Sequence, residues 1–335
     1  MRSARVLVVA ALTVGSGLAL AQPGSDYVVP RTEYGQPDFQ GVWNFASNIP
    51  MERPNQYVDQ EYLSEEEVAE NQERAVQTFE QGLSSGPGVG GYNSYWYERA
   101  GRGDNLRTSL IVYPENGKIP EVVEGAYYQL GSLGVDIPGE RPMRALFGGI
   151  SKDGPEDRGL SERCIVGFNA GPPFVPSGYN NNVQFIQHED TIVIMTEMVH
   201  DARIVPLDDT PHIDDSIRQW SGDSRGYWEG ETLVVETRNF TGISQSFKPV
   251  PYGDDYDKII TERFTRVDLS TMSYEFTLDD PGTFTDKIVG RIPMSLVDGL
   301  LYEYACHEGN YGMMNTLRGA RWEESNLTAG SEESQ

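Results

Sequence analysis

The chain is 335 residues long and sets 26 Lys and Arg against 51 Asp and Glu, a formal charge of −25. That balance excludes a nucleic-acid binder and a protein that docks on anionic lipid, since both need clustered cations. Hydrophobic residues at 38%, with 10% aromatics, suffice for a core and exclude wholesale disorder.

In chain order, residues 1–21 come first. Arg2 and Arg5 precede an apolar run from Val6 to Leu20 and the small-x-small site Ala19-Leu20-Ala21. This is the pattern of a secretory signal cleaved before Gln22, too short to span a bilayer comfortably. Loss of the two arginines takes the mature chain from −25 to about −27, with no later run long enough for an integral membrane segment. The expected location is the periplasm or the exterior.

Residues 22–164 read as a largely irregular N-terminal region. Five prolines between Pro23 and Pro54 forbid a long helix there, and Gly41 to Phe45 is a candidate short strand. One helix is predicted over 64–82, where Ser64 and Glu67 form a capping box and Leu63, Val68, Ala75, Val76, Phe79 and Leu83 fall near helical spacing. Residues 84–103 form a Gly-rich loop with Tyr92, Tyr95, Trp96 and Tyr97. Leu106 to Tyr113 is a predicted strand turned by Asn116-Gly117, and a short helix is expected around Val122 to Leu130.

From 165 to 322 the texture is β. Predicted strands at 183–187, 191–197, 202–207, 226–228, 232–237, 258–267, 272–278, 287–295 and 300–306 are joined by short turns. Consecutive hairpins make an antiparallel sheet, and so many strands must close or split to hide their edges. The expected fold is mainly β, an up-and-down, lipocalin-like barrel or a sandwich, wrapped by the irregular N-terminal half. The polar tail 323–335 is expected to fray.

Two cysteines, Cys164 and Cys306, are present. In an oxidising compartment they pair, closing a loop of more than 100 residues worth about 5 kcal/mol; two buried free thiols are the alternative. No His or Cys spacing marks a metal site, and none is expected.

Strand parity places Glu262 on the face shared with Ile260 and Phe264, so Glu262 is an inward carboxylate that needs a cation, with Arg203 and Arg225 as candidates. His200 and Asp201 interrupt a β run, and His307 lies in the polar, aromatic stretch from Tyr302 to Gly312. His200, Asp201, Glu262 and His307 are the acid–base candidates. Arg203, Arg225, Trp228, Asn181, Tyr304 and Trp96 are the candidate ligand contacts, the aromatics by stacking and Asn181 by its amide. Gly222-Asp223-Ser224-Arg225-Gly226 has the letters of a nucleophile turn, but its β setting favours a hairpin with Asp223 and Ser224 bonding the backbone.

The pieces Gly41-Val42-Trp43, Glu52-Arg53-Pro54, Arg107 to Leu110, Glu162-Arg163-Cys164, Gly171-Pro172-Pro173, Glu197 to Arg203, Trp228 to Phe240, Glu262-Arg263-Phe264, Asp279-Asp280-Pro281 and Tyr302 to Gly312 resemble a family of exported bacterial proteins. The likeness spreads over most of the mature chain and implies one continuous unit. The expected function is the handling of a small or oligomeric, carbohydrate-like ligand in a barrel pocket. The alternative is a lyase, isomerase or hydrolase in which His200 or His307 acts with Glu262 or Asp201.

Overall fold

A computed structural model describes residues 27–84, 98, 107–128, 152–158, 160–241, 251–252 and 256–332. The signal segment and Trp96 lie outside them. The strands are β1 (Gly41–Asn44), β2 (Ile111–Tyr113), β3 (Tyr127–Tyr128), β4 (Asn182–Gln187), β5 (Thr191–Thr196), β6 (Ala202–Pro206), β7 (Asp223–Glu229), β8 (Thr232–Arg238), β9 (Pro251–Tyr252), β10 (Ile259–Arg266), β11 (Thr271–Asp279) and β12 (Ile288–Val297). The helices are α1 (Glu65–Ser84) and α2 (Tyr311–Glu332).

The main sheet runs β6-β5-β4-β1-β12-β11-β10-β8-β7, every pair antiparallel, with β2 added to β12. Its two ends, β6 and β7, approach each other, so nine staves make a nearly closed up-and-down barrel. Eight of them come from the expected meander. The ninth is β1 from the N-terminal half, which slots between β4 and β12. A separate pair, β3 with β9, lies off the barrel.

Alternation explains the closure. On β10, Ile260, Glu262, Phe264 and Arg266 are buried while Ile259, Thr261, Arg263 and Thr265 are only partly covered. Met272, Tyr274, Phe276 and Leu278 on β11 and Ile288, Ile292 and Met294 on β12 are fully buried beside them. The interior is packed rather than hollow along these strands. Phe264 stacks on Tyr274 with ring centroids 4.9 Å apart, and a Cβ on Gly290 would lie 2.3 Å from the Phe276 ring. Gly290 is therefore where a side chain is surrendered so that the barrel can hold an aromatic one. Phe174, on the loop after Gly171-Pro172-Pro173, enters one end and stacks on Phe45. Phe39 and Trp228 meet edge-on at 5.3 Å near the other.

The capping box is formed: Glu67 Oε2 accepts the Ser64 N–H at 2.8 Å and Ser64 Oγ accepts the Glu67 N–H at 3.3 Å. Four expectations are corrected. Residues 300–306 are irregular, not a strand, because β11, β1 and β2 already occupy both sides of β12 and leave no edge to pair with. The tail is not frayed from 323 but helical to Glu332; Ala320 is buried and the Arg321 guanidinium holds the Lys152 and Asp153 carbonyls at 3.0 and 2.7 Å. No helix starts at Val122, which bridges Phe284 and is followed by β3. The strand expected at 106–113 contracts to β2, its first residues instead following Glu61 and Tyr62. No described helix is long and apolar enough to cross a membrane.

Candidate functional site at the disulfide-clamped rim

Inside the barrel, Glu262 is fully buried and meets Arg203 from β6 through two hydrogen bonds of 2.5 and 3.1 Å. The Tyr274 hydroxyl donates to Glu262 Oε1 at 2.8 Å and accepts the Phe174 N–H at 3.0 Å. The Arg203 guanidinium also lies over the Phe174 ring. Burial works against the charge on Arg203, but Glu262 more than restores it and raises its affinity for the proton. Burial, reinforced by Glu262, pushes the Tyr274 hydroxyl well above its ordinary value. Each member is answered by the others, which is the condition for tolerating charge in a core.

Arg225 is spent elsewhere: its guanidinium reaches Asp223 at 2.8 Å and the Thr210 and Pro211 carbonyls. Ser224 points inward to Thr237 Oγ1 at 2.8 Å, on a strand with no helix behind it. Trp228 belongs to the Phe39 end. His200 and His307 are both exposed, and among the described residues neither hydrogen-bonds to the fully buried Glu262.

What does converge is a rim outside the barrel wall, where β1 ends and β4 begins. Asn44 and Asn182 are register partners and both face outward. Asn44 Nδ2 donates to Asn182 Oδ1 at 2.8 Å and to Glu98 at 3.0 Å; Asn182 Nδ2 donates to Glu197 at 2.6 Å. Asn181, fully buried, gives its main-chain N–H and its amide to Glu98, the latter at 2.8 Å, and takes the Ser177 N–H at 2.7 Å. Glu98 is itself pinned by its N–H on the Gly178 carbonyl.

Glu197 closes this chain of amides. Burial raises its carboxyl above the usual carboxylate range; bonds from the Asn182 and Asn180 amides and the Tyr302 N–H pull it down, while the Glu98 charge pushes it further up. The chain then folds back sharply: the Asp201 carbonyl accepts the Thr196 N–H at 2.8 Å across a four-residue turn in which Val199 (φ 61°) and His200 (φ 46°) are left-handed. Left-handed backbone is costly for L-residues, most of all for a β-branched one. Asp201 accepts the Ser221 hydroxyl at 2.7 Å, outside the barrel.

The Cys164–Cys306 disulfide, spanning 142 residues, binds the Tyr302 to Asn310 stretch to this turn. Met198 and Val199 pack against it with Phe168, Tyr179 and Tyr304, and Asn310 Nδ2 holds the Glu162 carbonyl at 3.0 Å. Four of the six left-handed non-glycine residues described, Cys164, Asn180, Val199 and His200, sit here. Three stretches singled out in the sequence, around Asn181, His200 and His307, thus meet in one place.

Of the sequence candidates, Asn181, Tyr304 and His200 belong to the rim, and His307 follows the disulfide that clamps it. Arg203 and Glu262 are interior, and Arg225 and Trp228 stand apart. Glu197, Glu98, Asn44 and Asn182 were missed as a group. The usable signal was a turn of Met-Val-His without glycine directly after a strand, which forces left-handed backbone onto residues that resist it. Among the described residues no group of His, Cys, Asp or Glu has a metal-holding arrangement. No protein-family model matches the sequence, and no curated protein is similar to it at a significant level.

Proposed function

We propose that this protein is an exported ligand-handling barrel, one of the family of exported bacterial proteins that it resembles, and that its ligand is taken up at the rim around Glu197 rather than in the barrel interior. The carrying observation is the concentration of left-handed residues about a buried carboxyl, since backbone strain gathers where a surface has work to do besides folding. The ligand is small or oligomeric, neutral and hydroxyl-bearing, hence carbohydrate-like. A chain of −25 repels anions, the rim's amides and carboxyls pair with hydroxyls, and Tyr302, 77% exposed beside Glu197, offers a stacking face. The signal-like segment and the disulfide support export to an oxidising compartment.

An enzymatic version, a lyase, isomerase or hydrolase, has one observation in its favour. A carboxyl raised by burial and a like charge is the form that a general acid takes. In that version Glu197 replaces Glu262 as the partner of His200.

A thermal-shift screen of the mature protein against sugars, aromatic compounds and metals tests the proposal. A ligand at a hundred times its Kd stabilises the fold by about 2.7 kcal/mol. Glu197→Gln and His200→Asn should abolish the shift, while Glu262→Gln should lower the melting point and leave the shift in place. A shift that survives both rim substitutions and disappears with Glu262→Gln would return the site to the interior; no shift with any compound would remove the ligand.

A further inference from the structure

The barrel has one incomplete joint. β6 and β7 close on each other without a hydrogen-bonded ladder, their contact carried by packing of Val205 and Leu207 onto Gly226, where a Cβ would lie 2.8 Å from either side chain. The connection over residues 207–222 runs as a strap beside this joint. Its backbone is held by side chains from the sheet: Asn239 Nδ2 reaches the Ile213, Asp214 and Ile217 carbonyls, Arg225 holds the Thr210 and Pro211 carbonyls, and Asp223 Oδ2 accepts the Ile213 N–H at 3.2 Å.

One tie differs in kind. His212, on the strap, sets Nδ1 2.7 Å from Asp223 Oδ2 on β7 and Nε2 3.3 Å from Glu236 Oε1 on β8. Each carboxylate also carries an arginine from its own strand, Arg225 on Asp223 at 2.8 Å and Arg238 on Glu236 at 2.5 Å. The Nε2 contact is an ion-pair approach rather than a hydrogen bond, attractive only while the ring carries its second proton. With Nδ1–H kept by Asp223, a neutral ring turns a lone pair on Nε2 toward a carboxylate oxygen, and attraction becomes repulsion.

We propose that His212 is a proton-operated latch on the barrel's joint. As imidazolium it fastens the strap to β7 and β8 at once; on giving its second proton to water it lets go of β8 and keeps only β7. The other charges on the strap are Asp208, Asp209, Asp214, Asp215 and Arg218, with Asp208 and Asp214 turned onto Thr210 and Ser216 and Arg218 onto the Tyr256 carbonyl. β6 also bears Arg203, so a loosened strap frees one wall of the buried Arg203–Glu262–Tyr274 cluster.

Amide hydrogen exchange of the full chain at about pH 5.5 and about pH 8, on either side of the histidine range and corrected for intrinsic rates, tests this. The reporter is the Gln219 amide, which bonds the Asn239 carbonyl just past β8; the Ile213 amide, on the Asp223 tie that is kept, and amides of β10 and β11 are the controls. Gln219 protection in the native chain should fall about tenfold at the higher pH while the controls hold. His212→Gln and Glu236→Gln should remove that dependence. Equal Gln219 protection at both pH values, or a dependence that persists in His212→Gln, overturns the latch. Should His212→Gln not fold, a dependence persisting in Glu236→Gln overturns it alone.

Discussion

Two of the buried carboxylates of this protein, Glu262 and Glu197, fare differently. Glu262, within the barrel, faces a guanidinium and a phenol hydroxyl and is matched charge for charge. Glu197, on the rim, is met by amides and a main-chain N–H, with a second carboxylate, Glu98, nearby. Neutral donors stabilise an anion less than an opposite charge does, and a like charge adds repulsion. Burial alone therefore says little about role. A carboxylate matched by a cation holds the fold together, whereas one left proton-hungry beside strained backbone is available for chemistry or recognition.

The largest effect expected from breaking this contrast is in the interior. Glu262→Ala leaves Arg203 buried and uncompensated and should cost about 3–5 kcal/mol, lowering the melting temperature by about 10 °C. A loss under about 1 kcal/mol in thermal or urea unfolding would mean that water reaches the cluster. Next comes the clamp. Replacing Cys164 and Cys306 together by serine should cost about 2–5 kcal/mol, with hydrogen exchange rising most between Tyr302 and Asn310. Uniform loosening of the whole barrel would mean that the disulfide serves the fold and not the rim.

The smallest effect carries the sharpest sign. Because the Glu197 carboxyl is raised in the folded protein, folding favours its protonated form. Its contribution is complete in acid, below the ordinary carboxylate value, and is lost as pH rises through the folded-state titration. Glu197→Gln should therefore change stability by less than about 0.5 kcal/mol near neutrality and remove a decline in melting temperature just above the usual carboxylate range. A variant that instead loses stability at neutral pH would make Glu197 a structural acceptor like Glu262.

Local patterns in the chain carried much of the architecture. Ser64 and Glu67 announce α1 because capping joins residues three apart. Alternation along Ile260 to Arg266 turns Glu262 inward because side chains in a strand change face at every step; the cation it requires could be Arg203 or Arg225 by sequence, and the fold supplies Arg203. The pairing of Cys164 with Cys306 rests on compartment chemistry. Where the reading failed, the deciding contacts were distant. Leu300 to Cys306 has the composition of a strand but finds the places beside β12 taken by its hairpin partner β11 and by β1 and β2 from the N-terminal half. Residues from 323 on look like a polar tail, but they continue a helix that Arg321 fastens to the carbonyls of 152 and 153.

The sequence by itself determined that this chain is a turn-rich, antiparallel β protein with an inward carboxylate, since periodicity, turn residues and charge act over a few residues. Only the tertiary structure decided that β1 fills the ninth place, that the interior is packed with aromatic rings, and that Glu98, Asn182, Glu197 and the disulfide share a rim. Those outcomes depend on which of many compatible surfaces meet, a competition settled by packing and hydrogen bonding across more than a hundred residues, where no local pattern reaches.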